Sequence, residues 1–145
     1  MAKVLYVHAK GGPPVGYALP RVAARAEVHL LALSELPTDS AARTHAWCAS
    51  QVAAEAAGAD DLVASITSRA REVGADAVVT FSEYAVVAVA EATRLLGLRG
   101  AGPAAALARD KRLMRTAWDR QGIPQPHFRP VATLEQLRSA TRELQ

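Results

Sequence analysis

Few residues in this sequence have types and spacing suited to chemistry, and three short stretches hold them. Ser82-Glu83 follows the apolar run Val78-Val79-Thr80-Phe81. A carboxylate at the end of such a run could meet a substrate amine, or could serve only as an acid at the start of the next helix, where the dipole favours it. Gly11-Gly12-Pro13-Pro14-Val15-Gly16 follows a second apolar run. It is not the G-x-G-x-x-G dinucleotide fingerprint, and its two prolines lack amides that would cradle a pyrophosphate. A strand-to-helix turn is the simpler reading, and a nicotinamide cofactor is not expected. Asp110-Lys111 is the third stretch. Asp110 can cap a helix, which puts Lys111 in a first turn where the dipole also favours phosphate. Arg115 lies one turn on, along the same face. From spacing alone, Lys111 and Arg115 read as a solvated basic stripe.

Other chemistries find less support. His8, His29, His45 and His127 show no paired metal-ligand spacing, and Cys48 has no second cysteine beside it, so no metal site is expected. No Ser-His-Asp or Cys-His arrangement can be argued. Trp47 and Trp118 read as packing residues. The net charge of +3 is unevenly spread: residues 1–98 carry eight basic and ten acidic side chains, residues 99–145 nine and four. A basic excess can mark nucleic acid, a phosphate-bearing ligand or a solvated face. Here it is spread along helices without an aromatic RNA-binding signature or zinc-finger spacing, so no nucleic acid is expected. The N-terminal apolar run is broken at once by His8 and Lys10, too short for a signal-peptide core. The longest apolar run, 84–90, is far below the roughly 20 residues of a membrane helix. No membrane partner is expected, and the lone cysteine asks for no oxidising compartment, so the reading is cytoplasmic.

These stretches must be held by elements, and the pattern supplies them. Lys3 to His8 reads as a buried strand, Val15 to Ala26 as an Ala-rich helix and Val28 to Leu33 as a second strand. Asp61 to Val73 is helical, with Leu62, Ile66, Ala70 and Val73 on one face and Gly74 as the stop. Ala77 to Phe81 reads as a third strand, Ser82 to Leu96 as a helix and Leu98 to Ala101 as a short strand. Between them, Thr38-Asp39-Ser40 could cap a helix through Trp47, and Gln51 to Ala56 fits either a helix or a short strand. Strands apolar throughout and alternating with helices predict an α/β domain with a mostly parallel sheet covered on both faces, a Rossmann-like three-layer fold. Ligands would then sit beyond the carboxyl ends of the strands, where the Gly11-Gly12, Ser82-Glu83 and Gly100-Ala101-Gly102 segments fall. Pro103 opens a short helix. Past a boundary near Arg109, a helix with Leu113, Met114, Ala117 and Trp118 on its apolar face should end at Gly122. Phe128 to Val131 reads as a strand, and Thr133-Leu-Glu-Gln136 as a capping box opening a last helix that reaches Gln145 without a stop.

Over residues 78–128 the sequence resembles the start of an ATP-grasp carboxylate–amine ligase. The carrying stretches are Val79-Thr-Phe-Ser-Glu-Tyr-Ala-Val86, Gly97-Leu-Arg-Gly100, Asp110-Lys111, Met114-Arg115 and Gly122-Ile-Pro-Gln-Pro126, in the order that family uses. The Ser-Glu-Tyr-Ala-Val form is similar to the amino-acid ligases, whereas biotin carboxylase relatives usually have Ser-Glu-Asn, and Tyr84 departs from that. The resemblance implies a pre-ATP-grasp domain over residues 1–108 and, over residues 109–145, the incomplete helical and strand start of an ATP-grasp lobe.

It also implies an ATP-dependent ligase, with ATP and Mg²⁺ as cofactors and small-molecule carboxylate and amine substrates joined through an acyl phosphate. Lys111 matches the family lysine that contacts the nucleotide phosphates. Glu83 matches a residue lining the substrate cleft, which Ser82, Gly11 and Gly12 would border. A second lysine, a glycine-rich phosphate loop, the metal-holding acids and Asn, and the arginine at the acyl phosphate have no match in the chain. The 145 residues are therefore expected to be inactive alone, with no catalytic or metal-ligating residue of their own. Pre-ATP-grasp domains often contribute to dimer contacts, so a homodimer is one arrangement the resemblance allows. Two other readings stand beside the ligase: a stand-alone Rossmann-like binding or interaction module, and the N-terminal part of a biotin carboxylase-type subunit.

Overall fold

Residues 3–8 and 27–32 are nearly all buried, so these two largely apolar runs form the centre of a sheet covered on both faces. In the computed structural model, which describes residues 1–10, 13–33, 36, 44, 46–54 and 58–143, four strands make that sheet. They are β1 (Lys3–His8), β2 (Glu27–Ala32), β3 (Ser50–Ala53) and β4 (Ala77–Thr80), all parallel and ordered β3-β2-β1-β4. Val7 pairs with Leu31 on one side and Thr80 on the other, and His29 pairs with Ser50.

Side chains alternate across the sheet with the two-residue period of a strand. Leu5, Val7 and Leu31 face Ile66 and Ala70 of α2 (Ala59–Val73) and Ala88, Val89 and Ala92 of α3 (Val86–Leu95). Tyr6, Val28 and Leu30 face Val15, Ala18 and Leu19 of α1 (Val15–Ala23). Each fully buried leucine contributes about 2 kcal/mol relative to exposure, so these three layers are what holds the carboxyl edge in place. The expected Rossmann-like α/β domain with a parallel sheet is what forms. Gly74, at φ 64°, ends α2, with the Ala75 amide returned to the Ala70 carbonyl. A residue with a Cβ would be strained there, which is why a glycine marks the stop.

The chain divides into two compact units, Met1–Ala105 and Ala106–Gln145. The break falls within α4 (Ala104–Arg109). The second unit holds α5 (Lys111–Arg120) and α6 (Leu134–Glu143). Asp110 caps α5: its Oδ1 accepts the amides of Arg112 at 2.8 Å and Leu113 at 3.1 Å. Thr133 and Gln136 form the reciprocal capping box of α6, each side-chain oxygen accepting the other's amide at 3.2 Å. No residue of α5 is buried, although its Leu113–Trp118 stripe is the one the periodicity marks as apolar.

Several elements differ from the sequence expectation. Leu98 to Ala101 is not a strand: the Leu98 amide bonds to the Thr93 carbonyl, and Gly100 presses against Thr93, so the segment closes onto α3 and leaves β4 unpaired by it. Ser50–Ala53 is the strand instead, which resolves the open reading of Gln51 to Ala56. Phe128 to Val131 forms no strand; Pro126 and Pro130 lack donors, and no strand is present among the described residues of the second unit to pair with. The single helix expected from Ser82 begins as a 3₁₀ turn, Glu83–Ala85, before α3. α1 stops at Ala23 and holds Pro20 inside it. The helix expected to be capped by Thr38-Asp39-Ser40 falls largely outside the described residues, as do Gly11 and Gly12.

Candidate functional site

The carboxyl ends of β1 and β4 are stitched together by two hydroxyls. Thr80 Oγ1 donates to the Val7 carbonyl at 2.8 Å and accepts the Ser82 amide at 2.9 Å. Ser82 Oγ accepts the buried amide of Ala9 at 2.9 Å. Ser82 is fully buried. This clasp extends the β1–β4 pairing beyond the last ladder residue and fixes the point where both chains leave the sheet. Ser82 therefore acts through its neighbours: it sets the exit of β1 on one side and the Glu83 turn on the other.

Glu83 opens the 3₁₀ turn and is exposed, with its backbone held by the Ala85 amide bonding back to the Ser82 carbonyl. Two aromatic side chains flank it on the same edge, Phe81 at 51% and Tyr84 at 61% exposure. Beside them, Val79, Phe81, Val86, Thr93 and Gly100 line an apolar recess of about 310 Å³. Large exposed aromatics next to a carboxylate at the carboxyl edge of a parallel sheet are what a ligand site needs: area to cover and a charge to orient it. On the α1 side of the same edge, Tyr6 and His8 carry buried polar atoms, the phenol oxygen and Nδ1, with no hydrogen-bond partner among the described residues. Burial raises the Tyr6 phenol and lowers the His8 imidazole from their ordinary values, so both favour the neutral state.

Lys111 lies in the other unit, exposed at the first position of α5. The Asp110 carboxylate occupies the amides there, so the positive end of α5 is already neutralised by its own cap. With the Arg112 and Leu113 amides taken, what α5 chiefly offers a phosphate is the Lys111 ammonium. Arg115, which the helical spacing puts on the same face, is engaged elsewhere. Its guanidinium lies 5.8 Å from the Trp118 ring centroid and donates to Gln125 Oε1 at 3.4 Å, while Gln125 Nε2 donates to the Arg115 carbonyl at 2.9 Å. That pair ties α5 to the Gly122-Ile-Pro-Gln-Pro126 segment, which helps line a cavity of about 520 Å³.

Of the residues singled out from the sequence, Ser82 and Glu83 share the β4 exit, Lys111 stands on its own unit, and Gly11 and Gly12 are outside the described residues. The clasp partners Thr80 and the Ala9 amide escaped the sequence reading. The hydroxyl of Thr80 ends an apolar run, but nothing in the run says that it turns back onto β1. Among the described residues, no group of three His, Cys, Asp or Glu could hold a metal ion, and no helix is long and apolar enough to cross a membrane.

The family model of the ATP-grasp N-terminal domain matches residues 21–100, which run from α1 to the Gly100 segment. The chain belongs to this family. The chain is 41% identical over 86 residues to the alanine–anticapsin ligase of Bacillus subtilis (strain 168), and 40% identical over 86 residues to that of Bacillus amyloliquefaciens. Each match covers 59% of this chain and 18% of the relative, so the chain spans less than a fifth of the length of these ligases. Among solved structures, the L-amino acid ligase from Bacillus licheniformis superposes with a TM-score of 0.72, covering 93% of this chain and 34% of that one at 16% identity. Phosphoribosylglycinamide synthetase from Anaerococcus prevotii gives 0.64, covering 99% of this chain and 35% of that one, also at 16% identity. These two likenesses establish the pre-ATP-grasp fold.

Proposed function

We propose that this chain is the N-terminal part of an ATP-dependent ligase that joins the carboxylate of an amino acid to an amine. The observation that carries the reading is the family match over 21–100 together with the 41% identity to an alanine–anticapsin ligase. In the proposed reaction the substrate carboxylate displaces ADP from the γ-phosphoryl group of ATP, giving an acyl phosphate. The amine then attacks the acyl carbon, inorganic phosphate leaves and the amine proton passes to solvent or a base. Residues 1–108 would form the pre-ATP-grasp domain, and residues 109–145 would begin the ATP-grasp domain. Glu83, beside Phe81 and Tyr84, would border the substrate cleft with the Gly11-Gly12 loop, and Ser82 would position that edge. Lys111 would contact the ATP phosphates as a point charge. The described residues offer Mg²⁺ no ligand set, so no step through Mg²⁺ is assigned to this chain. Catalysis of such a transfer is positioning and charge stabilisation around the phosphates.

The test uses the whole protein that carries this chain. ADP should form only when amino acids are supplied, and Lys111→Ala should slow ATP use by about a hundredfold, the scale of losing one charged contact to developing phosphate charge. Lys111 is exposed, so the variant should keep the wild-type circular dichroism. An unchanged rate would remove Lys111 from the site, and no ADP with any amino-acid pair would end the ligase reading. The 145 residues alone should neither turn over nor tightly bind Mg·ATP; micromolar affinity by calorimetry would contradict that.

A further inference from the structure

At the amino end of β2 and β3, away from the carboxyl edge, four polar side chains form a hydrogen-bonded relay that the proposed ligase reaction does not use. The sheet register sets His29 beside Ser50. Ser50 Oγ lies 2.7 Å from His29 Nδ1, and His29 Nε2 lies 3.0 Å from Glu27 Oε1. A carboxylate only accepts, so in the neutral ring Nε2 carries the proton and Nδ1 is the acceptor, which makes the Ser50 hydroxyl the donor. Arg69 of α2 donates from Nη2 to the same Ser50 oxygen, and its Nη1 pairs with Glu72 at 2.6 Å. The Arg69 Nε points to the same side of the guanidinium as Nη2. It is a buried donor without a partner among the described residues. His29 and Arg69 are buried, whereas Ser50 is half-buried on β3, the edge strand of the sheet.

We propose that Ser50 is a nucleophile activated by His29, with Glu27 orienting the ring, and that it takes the acyl group of small activated carboxylic esters. No Ser-His-acid arrangement is readable from the sequence; the β2–β3 pairing assembles one from a serine and a histidine 21 residues apart. In the first step Ser50 Oγ bonds to the acyl carbon and its proton passes to His29 Nδ1. The ester C–O bond then breaks, and the leaving alkoxide takes that proton. Water attacks the acyl carbon in the second step, with His29 Nδ1 taking the water's proton. The acyl–Oγ bond breaks, Oγ regains the proton from His29 and the free acid leaves. Glu27 stabilises the imidazolium formed in passing, the part an acid plays in such relays. Arg69 Nη2 holds the serine oxygen, and the unspent Nε–H beside it is a donor for the developing oxyanion. A network that only locked β2 to β3 would gain by pairing that buried donor.

Labelling the whole protein that carries this chain with a fluorophosphonate tests this independently of any ligase activity. Ser50 Oγ bonds to phosphorus, fluoride leaves and His29 takes the proton. Fragment mass spectrometry should place the adduct on Ser50, formed about a hundredfold faster than on the exposed Ser68, the scale of general-base assistance. Ser50→Ala should lose that adduct together with any hydrolysis of 4-nitrophenyl acetate that depends on it. His29→Gln should slow labelling by about a hundredfold, and free imidazole should restore part of the rate to His29→Ala, which a merely structural histidine would not allow. Glu27 has 37% side-chain exposure and can be changed without opening the core. Glu27→Ala should slow labelling by about tenfold or more, and Glu27→Asp should regain part of the loss, so the relay stays testable where the buried His29 variants do not fold. A wild type without an adduct on Ser50 overturns the proposal. An adduct whose rate neither the His29 nor the Glu27 variants change overturns it too, and leaves the network as a lock between β2 and β3.

Discussion

Replacing Ser82 by alanine isolates the clasp between β1 and β4. The serine is fully buried, and its Oγ is 2.9 Å from the amide of Ala9, itself buried at 8% exposure. Alanine removes the acceptor and little volume, so the main effect is a buried N–H left without a partner. Such an orphan costs about 1–3 kcal/mol, more than the ~1 kcal/mol net value of an ordinary hydrogen bond, because the desolvated amide regains nothing. With a urea m-value of about 2 kcal/mol/M for a chain of this size, the midpoint should fall by about 0.5–1.5 M with the slope unchanged. Native-state hydrogen exchange supplies the local readout: the Ala9 amide should exchange about tenfold or more faster, while the Leu5 and Leu30 amides shift only with global stability. Thr80→Val should add to this, since Thr80 Oγ1 both donates to Val7 and accepts from Ser82. If Ser82→Ala moves the midpoint by less than about 0.2 M and leaves Ala9 protected, the clasp does not hold the edge and the argument for Ser82 as a positioning residue fails.

Two further perturbations follow from packing and burial. A Cβ on Gly100 would clash with Thr93 Oγ1, and Thr93 is 1% exposed with its hydroxyl bonded to the Ala90 carbonyl, so Gly100→Ala should destabilise by about 1–3 kcal/mol. Thr93→Ala in the same chain should recover part of that loss in a urea titration, and a Gly100→Ala variant as stable as wild type would show that the segment moves freely. Burial pushes the Cys48 thiol up to about 11 from an ordinary value near 9, so the thiol stays protonated at pH 8 and iodoacetamide should label it slowly in the folded chain and at least tenfold faster in urea. By linkage, the stability tied to this neutral thiol is fully present below about 9 and is lost as pH rises toward 11; equal labelling rates in both states would refute its burial.

Much of the scaffold was legible because burial and periodicity agree in it. The runs at 3–8 and 27–32 are apolar in the sequence and nearly wholly buried in the sheet. Asp110, Gly74 and the Thr133–Gln136 box announce helix ends through side-chain chemistry that acts within three residues. What failed was non-local. The run at 98–101 has strand propensity, yet its amides close onto Thr93, a competition decided by the Gly100 contact and invisible to a period count. Ser50–Ala53 reads ambiguously because it is short and half exposed, and only pairing with β2 makes it a strand. His29 also gained its meaning from tertiary structure: its ring bridges Ser50 Oγ at 2.7 Å and Glu27 Oε1 at 3.0 Å, tying the β2–β3 pairing together at its amino end. At the candidate site, the sequence pointed to Glu83 as the cleft-lining residue with Ser82 beside it, and the structure separates them, Ser82 buried and bonded to β1, Glu83 exposed.

That separation bears on how the two units divide the chemistry proposed for them. The first unit presents a carboxylate and two aromatic rings on an edge fixed by the Ser82 and Thr80 hydroxyls, which suits the proposed recognition of an amino-acid substrate by shape and one charge. The second presents Lys111 on a helix whose dipole is already satisfied by Asp110. A lysine on an uncapped helix would share a bound phosphate with backbone amides, and its removal would leave those amides to hold part of the charge. Here the Arg112 and Leu113 amides of that reserve are already taken by the Asp110 carboxylate. The phosphate interaction proposed for this position would therefore rest mainly on one flexible ammonium, and Asp110, by holding the first turn of α5 closed, sets where that ammonium begins. The loss expected for Lys111→Ala in the whole protein is large for this reason, and Lys111→Arg, which keeps the charge on the same capped turn, should retain most of the ATP use that the alanine variant loses.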